Sequence, residues 1–291
     1  MIRSVTTWRG RPAMHLSGDQ LEAVVTVTGA HLACLRRRGE LLNPLWQPSW
    51  TTSTDPLLAV ITGSNPCIDR FGPPWPGETR PMHGEAGLSQ WSSCQEGDEA
   101  VFRTTVPLAH LAVERRFRFI GDRLDLTTSV TPLGGQPRTV EWCEHTTLGD
   151  PFLDGVEITA GITTVEPMPR EAPLHCTAAA ALAFPRASEP PRGDIYTAPV
   201  EAGWYKAVNP RLGRTLEVTW DHAEFPWLCL WTQHRTRLLA PWSGRERARG
   251  MEVSTKPFPE GRPPLTRAQS WLGRPTTCLV PASKRIGFRW F

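Results

Sequence analysis

The sequence predicts an all-β protein built from antiparallel sheets, and three observations carry this prediction. Apolar and polar residues alternate over short segments along most of the chain, which is the pattern of strands with one buried face. The 29 Pro and 24 Gly among 291 residues are typical of the turns that separate strands. No segment shows a 3.6-residue period of useful length, so long helices are not expected. An antiparallel sandwich accounts for all three.

Residues 111–130 give the clearest strand signal. Leu111, Val113 and Phe117 share one parity, whereas the charged residues between them share the other, so one face of the segment is predicted to be buried. The Gly121-Asp122 pair supplies a tight turn before the alternation resumes, which predicts a β-hairpin. Similar short strands are predicted, in chain order, at residues 21–27, 31–37, 101–106, 139–145, 214–220 and 227–233.

Strand patterns continue to the C-terminal IGFRWF without a long linker, which favours one domain spanning residues 1–291. The best candidate for a linker is residues 185–203, rich in Pro. Since strands of the same style resume after it, we interpret this segment as a surface loop.

Charge and cysteine content exclude several classes of protein. The net charge is +3 and the basic residues are interleaved with acidic ones, so no nucleic-acid surface is predicted. Seven cysteines without a CxxC pair argue against a zinc ribbon and a complete disulfide framework, and they fit a reducing cytoplasm. No segment approaches 18 consecutive apolar residues, so no membrane span is expected. We expect a cytoplasmic monomer or weak homodimer.

Three short stretches carry groups that can transfer protons. They are PMHGEAG around His83, EWCEHTTLGDPFLDG around His145, and RGMEVSTKPF around Glu252. Each places one such group among small or turn-forming residues, and groups of this kind need to converge only in space to perform acid and base chemistry.

Several of the 13 Trp lie near predicted turns, where an aromatic face is suited to stacking on a sugar ring. Trp75 lies in GPPWPGE and Trp242 in LAPWSG, while Trp227 and Trp231 flank the middle of one predicted strand. The default position for a Trp is the core, so these four are candidates for a pocket only together with the other signals.

In this order along the chain, the segments resemble the galactose mutarotase-like superfamily, the aldose 1-epimerases and their relatives. The opening LEAVVTVTGAHLACLRRRGELL is similar to the first strands of that family. The stretch NPCIDRFGPPWPGETRPMHGEAG resembles its Arg-containing loop and His-Gly pair, WCEHTTLGDPFLDG the strand end with its second His, and RGMEVSTKPFPEG its Glu-containing stretch. The resemblance implies a β-supersandwich of large antiparallel sheets that interconverts sugar anomers.

The resemblance also implies a role for each matching residue. Glu252 would be the base, His145 the general acid, and Arg70 and His83 substrate-binding residues, to which we add Trp75 and Trp231 as sugar contacts. The sequence departs from the family around His145, where Asn-rich and Tyr-Phe-bearing residues are usual. No Asp matches the one that many members use to hold sugar hydroxyls, for which Asp194 and Asp221 are candidates.

The proposed chemistry follows from the residue types. Anomer interconversion removes a proton from the anomeric hydroxyl and adds one to the ring oxygen, so one base and one acid suffice, each contributing roughly 10²–10⁴-fold. No cofactor or metal is predicted, and the partner is a small-molecule sugar. Whether that sugar is neutral, phosphorylated, sulfonated or deoxy is left open by the sequence.

Three other classes of β protein compete with this interpretation. A cupin-type metal site requires an HxH pair, which occurs nowhere among the eight His. A non-catalytic carbohydrate-binding sandwich of the same superfamily would keep the fold without turnover. A glycan hydrolase or lyase of this superfamily normally carries a helical toroid, which 291 residues without a helical period do not hold.

Overall fold

The computed structural model of the protein describes residues 2–169, 171–259 and 270–291. Nearly all its regular structure is strand, which confirms the all-β prediction. In chain order the elements are β1 Ile2–Trp8, β2 Arg11–Ser17, β3 Leu21–Thr26, β4 Leu32–Arg37, α1 Pro56–Val60, β5 Ser64–Ile68, β6 Ser92–Glu96, β7 Glu99–Val106, β8 Leu111–Ile120, β9 Arg123–Pro132, β10 Arg138–Val140, β11 Trp142–Gly149, β12 Glu157–Gly161, β13 Glu166–Pro167, α2 Ala178–Leu182, β14 Arg192–Pro199, β15 Ala202–Asn209, β16 Arg214–Trp220, β17 Trp227–His234, β18 Arg247–Ser254, β19 Ser270–Trp271, β20 Arg274–Pro275, β21 Cys278–Val280 and β22 Ala282–Trp290.

Two large antiparallel sheets make up most of the structure. One has ten strands in the order β1-β2-β3-β4-β5-β11-β18-β17-β14-β13, and the other has eight in the order β12-β15-β16-β22-β9-β8-β7-β6. Two small ladders, β10-β21 and β19-β20, complete the described strands. Apolar side chains of both large sheets belong to one hydrophobic cluster, so the principal core lies between them. This arrangement confirms the predicted antiparallel sandwich.

Most predicted strands are present at or near their predicted bounds. The hairpin forms β8 and β9, with Gly121 at a positive φ of 60° in the turn. Predicted strand 139–145 is divided, because β10 pairs with β21 in a small ladder and β11 with β5 and β18 in the ten-stranded sheet. No helix among the described residues is long and apolar enough to cross a membrane.

The interpretation of residues 185–203 as a surface loop is wrong. The segment contains β14, which pairs with β17 along its whole length in the ten-stranded sheet. Asp194, Tyr196 and Ala198 point into the core from this strand. The prolines at 190 and 191 lie just before β14 and Pro199 ends it, so the turn-rich composition belongs to the flanks of a strand.

A buried ion pair joins the two large sheets. Arg115 of β8 is 0% exposed, and its terminal nitrogens lie 3.1 and 2.9 Å from the two carboxylate oxygens of Glu144 in β11. The hydroxyl of Ser64 donates a further hydrogen bond of 2.5 Å to the same carboxylate. This two-pronged geometry is among the stronger arrangements of an arginine and a carboxylate.

Strand alternation in β18 separates the core from the candidate site. Met251 and Val253 point into the cluster between the sheets. Glu252 and Gly250 therefore lie on the other face of the ten-stranded sheet. The outer face of the central strands forms the floor of the candidate site; these strands are β5, β11, β18, β17 and β14.

Candidate active site

A cavity of about 220 Å³ lies over the outer face of the ten-stranded sheet. The walls come from the segment that contains α1, the His83 loop and the turn between β17 and β18. The lining residues are Trp46, Asp55, Leu57, Leu58, Ile61, Met82, His83, His145, Ile195, Trp231, Arg237, Trp242, Glu252 and Pro259.

His145 and Glu252 are direct cross-strand neighbours at the base of this cavity. The register of β11 and β18 pairs the two residues, and the His145 Nε2 atom lies 3.2 Å from Glu252 Oε1. Cross-strand pairs on one face are close by construction, so the sheet itself sets this distance. The two predicted proton-transfer groups therefore lie within ion-pair distance of each other.

Burial changes the protonation of this pair. It raises the pKa of Glu252 to about 8 and lowers the pKa of His145 to about 4, because both side chains are removed from water. Near neutral pH the pair consequently holds one proton, and these pKa values place it on the Glu252 carboxyl, 3.2 Å from His145 Nε2. Cys229, which lies opposite Glu252 in β17, belongs to an apolar cluster on the same face of the sheet. The second carboxyl oxygen of Glu252, Oε2, has no hydrogen-bond partner among the described residues.

Two small residues fix the orientation of the pair. The Thr147 hydroxyl lies 3.1 Å from His145 Nδ1, which leaves Nε2 facing Glu252. Gly250 lies two residues before Glu252 on the same face. A Cβ atom at Gly250 would come within 2.2 Å of Glu252 Oε1, so the carboxylate occupies space that only a glycine leaves open.

His83 enters the cavity from a loop with a strained backbone. Its φ is 63°, and the following Gly84 packs so closely on the Ile68 carbonyl that a Cβ there would lie 2.3 Å from the oxygen. The backbone N–H of Gly72 donates to His83 Nδ1 over 3.2 Å, so that nitrogen carries no proton. Burial lowers the pKa of His83 well below its usual value. The ring is therefore a neutral Nε2–H donor, 5.0 Å from the His145 ring.

Tryptophan rings line one side of the cavity. Trp231 lies 6.3 Å from the His145 ring and 6.0 Å from the Trp242 ring, between ring centroids. Trp242 stacks on Trp46 at 5.6 Å with nearly parallel planes. A pocket with aromatic walls and a few convergent polar groups is the usual form of a small-molecule site.

Arg70 and Trp75, which the sequence predicted as sugar contacts, are not among the described residues that line the cavity. Arg70 is 2% exposed, and its terminal nitrogens bind Glu141 at 3.3 Å and Glu78 at 2.5 Å. Its guanidinium carbon lies 4.4 Å from the Trp75 ring centroid. These contacts hold the segment that leads to His83, and a sugar-binding role for Arg70 and Trp75 stays a prediction.

Three further residues that the sequence suggested for the site lie away from the cavity: Trp227, Asp194 and Asp221. Trp227 is buried on the floor of the sheet and donates to the Pro275 carbonyl. Asp194 points into the core and accepts from Arg192. Asp221 accepts from a backbone N–H in its own turn. Within the described part of the chain, none of these three residues lines the cavity.

Comparison with known proteins was made at three levels. No family model matches the chain, and no curated protein matches its sequence. Solved structures do match. A candidate mutarotase from Salmonella typhimurium superposes with a TM-score of 0.70 at 14% identity, over 99% of this chain and 93% of that one. A candidate aldose 1-epimerase from Escherichia coli gives 0.68 at 12% identity, over 99% of both chains.

A galactose mutarotase-like protein from Lactobacillus casei gives a TM-score of 0.63 at 11% identity, over 96% of this chain and 99% of that one. The chain has the galactose mutarotase-like fold. At such low identities this likeness extends to the architecture alone. The reading of a galactose mutarotase-like fold from the sequence is thus confirmed.

Sequence reasoning missed several residues that this galactose mutarotase-like fold brings into the cavity. Arg237 is one among many arginines in the sequence, and Trp46 one among 13 tryptophans, so neither carries a distinguishing local pattern. Thr147 and Gly250 act on the site through His145 and Glu252, the residues two positions away on the same face of their own strands. The one available signal was position, because Arg237 lies in the turn that also carries Trp242.

Among the described residues, no group of three or more His, Cys, Asp or Glu is arranged to hold a metal ion.

Proposed function

We propose that the protein interconverts the α and β anomers of a sugar by opening and closing its ring. The supporting observation is the contact of 3.2 Å between His145 and Glu252 at the base of a buried, aromatic cavity. The anomeric hydroxyl oxygen and the ring oxygen of a sugar are bonded to the same carbon. Adjacent proton-transfer groups therefore match the two atoms that must exchange protons.

In the proposed reaction, the proton of the pair first passes from Glu252 to His145. Glu252 then takes the proton of the anomeric hydroxyl while His145 gives its proton to the ring oxygen. The bond between the anomeric carbon and the ring oxygen breaks, and an open-chain aldehyde forms. Rotation about one carbon–carbon bond then presents the other face of the aldehyde. Ring closure returns both protons, so the pair ends with the single proton it began with.

The neutral His83 supplies a hydrogen bond without competing for protons. Because its Nδ1 accepts from Gly72, only Nε2–H is free to donate towards the ring oxygen or a neighbouring hydroxyl. Trp231 and Trp242 offer aromatic surface to the carbon-bound hydrogens of the ring. Such contacts orient the sugar, and orientation is a large part of the rate that an enzyme supplies.

The direct test is an anomerisation assay by exchange NMR or polarimetry on a panel of neutral, phosphorylated, sulfonated and deoxy sugars. A rate above the spontaneous one for at least one sugar supports the proposal. Sugar binding without any acceleration across the panel would instead identify a non-catalytic carbohydrate-binding protein.

We expect a bell-shaped pH profile of kcat/KM with a plateau between about pH 4 and about pH 8. Below the plateau both His145 and Glu252 are protonated, so no base is free. Above it the pair has lost the proton that the acid must give. The measurement is the enzymatic rate after subtraction of the spontaneous rate at each pH, with circular dichroism to verify folding. A rate that keeps rising from pH 8 to pH 10 would contradict a pair that holds one proton.

Replacing Gly250 with Ala should lower turnover by ~10-fold or more while leaving the fold intact. The new methyl group collides with the end of the flexible Glu252 side chain, which must leave its contact with His145, and small displacements of reacting groups are costly. Gly287→Ala is a matched control, since its methyl group would crowd the Arg123 side chain at 3.0 Å in the other sheet. Equal turnover in both variants would show that Gly250 does not position the carboxylate.

A further inference from the structure

Arg237 lines the cavity, and the proposed reaction gives it no role. Its guanidinium carbon lies 4.6 Å from the Trp242 ring centroid and 5.2 Å from the Trp231 ring centroid. The two indole rings therefore hold the cation in one place on the cavity wall. A long side chain that is fixed in this way has already lost part of its rotamer entropy, which favours the binding of a ligand.

Other arginines near the floor of the site have polar partners, whereas Arg237 has none within the described residues. Arg70 is paired with carboxylates, and Arg249 donates to Thr232 and to the Ala181 carbonyl. No hydrogen bond or ion pair of the Arg237 guanidinium occurs in the described part of the chain. The charge of Glu171 raises the pKa of Arg237, but Glu171 is too far away to form an ion pair with it.

Among the described residues, one acidic residue besides Glu252 lines the cavity, and it is engaged elsewhere. Asp55 is exposed, and its Oδ1 atom accepts hydrogen bonds of 2.9 and 3.0 Å from the backbone amides of Leu57 and Leu58 at the start of α1. Its charge is therefore open to solvent, which screens it. The remaining groups contribute little, since His83 is neutral and the His145–Glu252 pair holds one proton.

The place of Arg237 relative to the reacting groups is set by one ring. The Trp231 ring centroid lies 6.3 Å from the His145 ring centroid and 5.2 Å from the Arg237 guanidinium carbon, and all three residues line the cavity. A sugar with its anomeric carbon at His145 and Glu252 would thus extend along Trp231, and a substituent on the distal part of its ring would reach Arg237.

We propose that Arg237 binds an anionic group, a phosphate, sulfonate or carboxylate, carried by the sugar whose anomeric carbon lies at His145 and Glu252. This inference rests on the proposed function. A planar guanidinium presents paired donors that match an oxyanion. The guanidinium lies against two aromatic rings while the residue stays exposed, so an anion entering the cavity can reach it. A bound anion would supply the charge partner that the described residues do not provide.

The test compares three sugars by isothermal titration calorimetry at low salt: glucose, glucose 6-phosphate and glucuronate. We expect at least one anionic sugar to bind the wild-type protein more tightly than glucose. In R237Q that sugar should lose about 10- to 100-fold in affinity, the range expected for a lost charge-assisted hydrogen bond, while glucose affinity stays the same. The phosphate and carboxylate arms distinguish the two kinds of oxyanion.

Arg245→Gln is the matched control, because Arg245 is an exposed arginine of the same turn and is not among the cavity-lining residues. It should leave all three affinities unchanged. A second measurement needs no variant: raising the salt concentration should weaken binding of the anionic sugar and spare glucose.

Two results would overturn the inference. One is an affinity for both anionic sugars that does not exceed that for glucose, and the other is an equal loss for charged and neutral sugars in R237Q, which indicates a stacking role. Tight, salt-sensitive binding of an anionic sugar without anomerisation would leave the Arg237 site in place. That result would reject the proposed function instead.

Discussion

Glu252→Gln should abolish most of the anomerisation activity while sugar binding survives. The amide is nearly isosteric and can still hydrogen-bond the anomeric hydroxyl, but it cannot accept the proton, so turnover should fall by ~10²-fold or more. Stability should change little, since Glu252 is buried with one oxygen lacking a hydrogen-bond partner and a raised pKa. Turnover is measured by exchange NMR, binding by calorimetry, and stability by thermal unfolding.

His145→Asn supplies the second arm of this experiment. It should also reduce turnover, and the double variant should cost less than the sum of the two separate losses, because both residues act on one transition state. Glu246→Gln is the control, a buried carboxylate that accepts from Trp46 next to the cavity and does not contact His145. Near-normal turnover of Glu252→Gln on every sugar that the wild type converts would make Glu252 a structural residue.

Glu144→Ala should cause the largest loss of stability among these variants. It leaves the Arg115 guanidinium buried between the sheets without its carboxylate, and removing one partner of a buried pair costs about 3–5 kcal/mol. The free energy of unfolding is measured by urea denaturation of the variant and the wild type.

The double variant Arg115→Met/Glu144→Leu tests the cause of that loss. Two apolar side chains of suitable size remove both charges together, so much of the stability lost in Glu144→Ala should return. A double variant that is no more stable than Glu144→Ala would mean that the carboxylate acts through Ser64 or through packing and not through the charge of Arg115.

The strands could be predicted from the sequence wherever one face of a strand packs against the core. In β8 and β9 the alternation is regular, and the hairpin was predicted close to its observed bounds. Strand β14 was missed because Asp194, Gly193 and nearby prolines weaken its pattern, although it pairs with β17 over its full length. Residues 260–269, which include part of the Glu-containing stretch that resembles the family, lie outside the described residues.

The candidate site was accessible only in part. His145, Glu252, His83 and Trp231 were selected from local motifs, and the structure brings all four to one cavity. Arg70 was selected because its loop resembles the Arg-containing loop of the family, yet the partners that engage it, Glu141 and Glu78, become neighbours only after folding. A motif in a sequence carries the type of a residue, whereas the direction of its side chain depends on the strand parity and on the loops around it.

The register of β11 and β18 has a consequence for how such a protein can diversify. The two reacting groups are fixed by backbone ladders in the middle of a sheet, while His83, Trp242 and Arg237 come from connections at its rim. Connections tolerate replacement far better than central strands do. A lineage can therefore exchange its rim segments and acquire a sugar of different size or charge, and the same inherited pair of reacting groups would serve each of them.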